Sequence, residues 1–127
     1  MNTSPPIESP SSSSSRDNPC FGTDPNVATL NVFVDDGESL QLSYAQFLYA
    51  KLGANPALEK EPNASPQQLM LCFAMAEVVV LGSGLKSIDR AIQKHDLKFI
   101  QRADRRYAAT LKTHVASVAI TFTKETL

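Results

Sequence analysis

The sequence predicts an α+β fold: one domain in which a mainly antiparallel sheet of five or six strands is covered by one principal helix, preceded by a disordered Ser/Pro-rich tail. Three observations carry this expectation. Short apolar segments that alternate or are rich in valine recur between turn residues across residues 27–81. Residues 85–95 hold an apolar stripe at helical spacing. The opening MNTSPPIESPSSSSSRDNP has almost nothing apolar to bury. The expected boundaries are a tail over 1–25 and a domain over 26–127.

The 127 residues suit a single core, and 43% hydrophobic with 20% charged residues is ordinary for a globular chain. No segment approaches the roughly 18 uninterrupted apolar residues of a membrane-spanning helix, and the start lacks the cationic and apolar regions of a signal peptide. A cytoplasmic location is therefore expected, with no membrane partner. Cys20 sits at the end of the tail, and Cys72, between Leu71 and Phe73, is expected as a buried reduced thiol. No metal-type spacing links either cysteine to a histidine, so no metal and no cofactor is expected.

In chain order, residues 27–34 alternate Ala28, Leu30, Val32 and Val34 against Thr29, Asn31 and Phe33, the period of a half-buried strand. Asp35-Asp36-Gly37-Glu38 then predicts a hairpin through a type I′ turn, with a return strand over 39–44 that aligns Leu40, Leu42 and Tyr44. Residues 43–53 fit a capped helix, but a strand is preferred: one helical turn at 44–46, then a strand over 47–52. Residues 53–66, with three prolines, read as a long exposed connection.

Leu69, Leu71 and Phe73 alternate inward, and the valines of 77–81 follow. A hairpin through Ala74-Met75-Ala76 is preferred over a helix across 66–76. Leu85, Ile88, Ile92 and His95 form the helix stripe, with Ser83 as the expected N-cap. The helix either runs on as a rod or stops at His95-Asp96 before a strand over 97–101. The alternation of Leu97, Phe99 and Gln101 favours the strand, and a crossover would result if its sheet were also that of 77–81. A loop or turn over 102–113 and a strand over 115–122 complete the domain.

Charge is divided along the chain. Through Gly84, nine acidic side chains face three basic ones, whereas from Lys86 to Lys112 eight basic side chains face three acidic ones. The candidate binding residues are Lys86, Arg90 and Lys94 on the exposed helix face, with Arg102, Arg105, Arg106 and Tyr107 beyond it. They could neutralise phosphates or meet an acidic protein surface, although a solvated helix face explains the same spacing.

Gly82-Ser83-Gly84 lacks the third glycine of a dinucleotide fingerprint, since position 87 is Ser87, and reads as a strand-to-helix joint. His95 and His114 lack a placed nucleophile, so no catalytic residue is assigned. Asp35, Asp36 and Glu38 read as turn formers. The leading expectation is a small non-enzymatic interaction module that binds a protein partner or another copy of itself. The alternatives are anionic-ligand or nucleic-acid binding through residues 86–112, and a small enzyme using His95 or His114.

Overall fold

Among the described residues, eight strands and one α-helix make a mixed α+β domain, and the strands divide into two sheets of four. The computed structural model describes residues 18–122. The first sheet has the order β1 (Phe21–Thr23), β7 (Leu97–Ile100), β2 (Thr29–Phe33), β3 (Ser39–Ser43). The second has the order β4 (Phe47–Ala54), β5 (Gln67–Phe73), β6 (Ala76–Ser83), β8 (His114–Phe122). All pairings are antiparallel except β2 with β7.

This replaces the single sheet of five or six strands expected from the sequence. Alternation shows that a strand has a wet and a dry side, and is silent on which sheet the strand joins. The partition is made at the 3-10 turn Tyr44–Gln46, where Ser43 Oγ accepts the Ala45 N–H at 3.1 Å. The chain leaves β3 there and enters the other sheet as β4. The helical turn and the strand after it lie where the sequence places them.

The hairpins also lie where expected, with one difference in turn chemistry. Only Gly37 of the β2–β3 loop has positive φ, at 96°, so the loop is not a type I′ turn. Its N–H donates to Val34 O at 3.0 Å and Asp36 Oδ1 accepts the Glu38 N–H at 3.0 Å, a three-residue loop closed by one left-handed glycine. The connection expected over 53–66 starts at 55, because β4 takes residues 53 and 54; residues 55–66 are mostly exposed and are pinned by buried Asn55, whose side-chain amide donates to Ser65 O at 2.9 Å.

Two further sequence expectations change, one for the tail and one for Cys72. Of the tail assigned to 1–25, residues 1–17 lie outside the described residues, while residues 18–25 belong to the fold through β1. Cys20 is fully buried, and its sulfur accepts the Val115 N–H at 3.2 Å. Cys72, by contrast, is on the outward side of β5 and partly exposed, because Leu71 and Phe73 take the inward positions.

The two sheets enclose the core. Leu30, Val32 and Ile100 from one meet Leu69, Leu71, Val78, Val80 and Val118 from the other in a single buried cluster. The helix α1 (Lys86–Gln93) seals it with Ile88, Ala91 and Ile92, all buried, and packs against β4 and β7. It links β6 to β7, which belong to different sheets, so no same-sheet crossover forms. Ser83 remains in β6 and Leu85 occupies the N-cap without a side-chain bond; its N–H donates instead to Gln67 Oε1 at 2.9 Å. Among the described residues no helix is long and apolar enough to cross a membrane.

Tyr44 ties the sheets together: its ring is buried and its hydroxyl donates to Leu97 O. Burial pushes the Tyr44 phenol above its usual value. The unfolded phenol titrates near pH ~10, so this burial stabilises the fold fully below that pH and the contribution is lost as pH rises beyond it. Tyr44→Phe is expected to lower stability at pH 8, since it orphans the Leu97 carbonyl, yet to lose less than the parent between pH 9 and 11. Urea unfolding at each pH checks this, and an unchanged slope in the variant would refute it.

Candidate functional site

The turn of the β2–β3 hairpin reaches across to β8, and a cleft of about 360 Å³ opens beside that junction. Asp35 makes the junction. Its N–H donates to Val118 O at 3.3 Å, while its carboxylate accepts the Val118 N–H at 3.0 Å and the Ser117 hydroxyl at 2.8 Å. A turn-forming aspartate thus clamps two sheets, and both of its carboxylate oxygens are used.

The acids beside it are not used in that way. Asp36 and Glu38 are exposed on the rim, and among the described residues no cation lies within ion-pair distance of either. The cleft's other surfaces are largely apolar, from Val34, Leu40, Ile120 and Phe122, and Phe122 is 62% exposed. Apolar lining beside carboxylates that pair with no cation among the described residues suits a long cationic side chain, whose methylene stem and charged head have the same division. The sequence gives no sign of this arrangement, because Asp35 and Val118 stand 83 residues apart.

No family model, curated protein or solved structure matches this chain. Function is therefore read from the geometry of its own residues.

The basic residues singled out in the sequence lie elsewhere. Lys86, Arg90 and Lys94 are exposed on the outward side of α1, and Arg102 is exposed just after β7. Arg105, Arg106 and Tyr107 form a 3-10 turn capped by Asp104, whose carboxylate accepts the Arg106 N–H at 3.0 Å. Arg106 and Tyr107 are brought together, the guanidinium carbon 5.1 Å from the ring centre. Asp104 lies 3.9 Å from the same guanidinium, so this arginine already has local partners. None of these basic residues lines the cleft.

The histidines hold structural positions. His95 ends the helix with φ 60°, and its ring stacks on Tyr44 at 4.8 Å and meets the Phe47 ring edge-on at 5.6 Å. His114 is buried, with Nε2 at 3.2 Å from Ala103 O and 3.1 Å from Asp104 O, so its N–H anchors the loop that carries the arginines. An enzyme built on His95, Tyr107 and His114 needs the three to converge; instead His95 packs against Tyr44 and Phe47, and His114 against the 103–104 backbone. No group of three or more metal-ligating side chains is gathered among the described residues.

Proposed function

We propose that this chain is a non-enzymatic binding module that docks a cationic segment of a protein partner in the cleft between the β2–β3 turn and β8. The observation that supports this reading is the pair of carboxylates, Asp36 and Glu38, that no cation among the described residues pairs with, beside apolar lining that includes exposed Phe122. Phe122, 62% exposed, is a large aromatic ring open to water beside these acids, and exposed apolar patches mark interaction surfaces.

A fluorescent peptide of alternating valine and arginine is the probe. It is expected to bind, with affinity falling as salt rises, while its glutamate counterpart does not bind. The double substitution Asp36→Asn with Glu38→Gln should weaken binding roughly tenfold, the combined effect of two charge-assisted contacts. Equal binding of the arginine and glutamate peptides would overturn the proposal.

Self-association is a form of the same reading, with the cation supplied by the basic turn or helix of a second copy; light scattering at two concentrations separates it from binding to a different protein. An anionic ligand such as RNA, held by Lys86, Arg90, Lys94, Arg102, Arg105 and Arg106, is the second reading, favoured by the exposure of these side chains. Retention of a single-stranded RNA pool at low salt, lost steeply as salt rises, is its test.

A further inference from the structure

We infer that the docked segment adds to the second sheet as a strand, pairing its backbone with the free edge of β8 at Ile120 and Phe122. This rests on the reading of the cleft as a docking site. β8 is the last strand of its sheet, paired to β6 alone through Val80 with Val118, Val78 with Ile120 and Ala76 with Phe122. Both backbone groups of Val118 are engaged by Asp35, on the side away from β6. Backbone groups in a strand repeat their direction every second residue, so those of Ile120 and Phe122 also point away from β6. Among the described residues none pairs with them.

Asp35 is thus the first rung of a ladder on this edge, and the ladder stops after one residue. The cleft opens where it stops, and Ile120 and Phe122 line it together with Glu38, Ser39 and Leu40 of the hairpin. Edge strands are usually blunted by lysine, proline or a bulge, and residues 119–122, Ala-Ile-Thr-Phe, carry neither lysine nor proline. The register shift in the β6–β8 pairing lies at the other end of the strand, near Gly82.

Charge complementarity selects the occupant. A second copy pairing β8 to β8 would bring each molecule's Asp36 and Glu38 toward the same acids of the other, which is repulsive. An extended segment with basic residues at alternate positions meets the rim with opposite charge and lays its apolar residues on the floor.

The test compares the valine–arginine peptide with two versions of it, one N-methylated at the valines and the other at the arginines. Charge and side chains are unchanged, but each version loses the N–H groups on one edge. Strand addition predicts that one version loses about tenfold or more in affinity, as expected for two missing backbone hydrogen bonds, while the other binds like the parent. It also predicts slowed hydrogen exchange at the Ile120 amide when the parent peptide is bound. If both versions bind like the parent, or both are weakened equally, strand addition is wrong while cleft docking survives. If the parent peptide itself fails to bind, the docking reading falls and takes this inference with it.

Discussion

Gly84→Ala is expected to bring the domain close to unfolding, with a thermal midpoint lower by roughly 8–48 °C, about 2–6 kcal/mol at about 4–8 °C per kcal/mol. Two costs combine at this residue. Its φ is +62°, a conformation that costs a side-chain-bearing residue about 1–3 kcal/mol. A Cβ there would also lie inside contact distance of the Lys112 backbone carbonyl and 3.1 Å from its carbon. That neighbour is main chain, and it is held by the bond from the Thr113 hydroxyl to Gly84 O at 2.8 Å, so it cannot simply step aside. Overpacking of this kind adds about 1–3 kcal/mol, a large share of the ~5–15 kcal/mol that holds a domain together. Gly37→Ala is the control, because its φ is +96° but nothing lies within 4 Å. Melting by circular dichroism distinguishes them: if the two variants melt together, the close approach at Gly84 is not a constraint.

Ile88→Ala is expected to cost about 2–5 kcal/mol, the usual range for a fully buried isoleucine cut to alanine. The helix that carries it has eight residues, far below the length at which a helix is stable by itself in water. Its order therefore depends on Ile88, Ala91 and Ile92 being held between the sheets. Arg90→Ala, two residues on and on the exposed side of the helix, should stay within about 0.5 kcal/mol of the parent. Urea midpoints for both measure the contrast, and similar midpoints would show that the helix is an appendage and not the seal of the core.

Local structure was largely legible in the sequence, because each element carries its own period. Leu30 and Val32 against Asn31, and Leu69, Leu71 and Phe73 against Met70 and Cys72, give strands with one dry side. Leu85, Ile88 and Ile92 give the helix. Features that depend on distant partners were not legible. β1 is three residues, Phe-Gly-Thr, too short to show a period. It exists because it pairs with β7, Phe21 opposite Ile100 and Gly22 opposite Phe99, and the Phe99 ring lies where a Cβ on Gly22 would stand. The cleft was hidden for the same reason. Aspartates in a hairpin loop have a sufficient local explanation, and only the arrival of Ser117 and Val118 gives Asp35 a second task. The basic segment, the strongest long-range signal in the sequence, is placed on the helix surface and an exposed turn and contributes nothing to the cleft.

The interleaving of the two sheets governs how the molecule is made. Translation delivers the chain from its amino end, and until residues 97–100 emerge from the ribosome, Phe21–Thr23 has no neighbour and the first sheet is a lone hairpin. The second sheet stays a three-stranded meander until its final strand, His114–Phe122, is synthesised. That strand also supplies Ser117 and Val118 to Asp35, so the proposed docking cleft forms only once this strand is made. A product halted before residue 114 holds every acid of the rim and has nothing opposite to make a site of them.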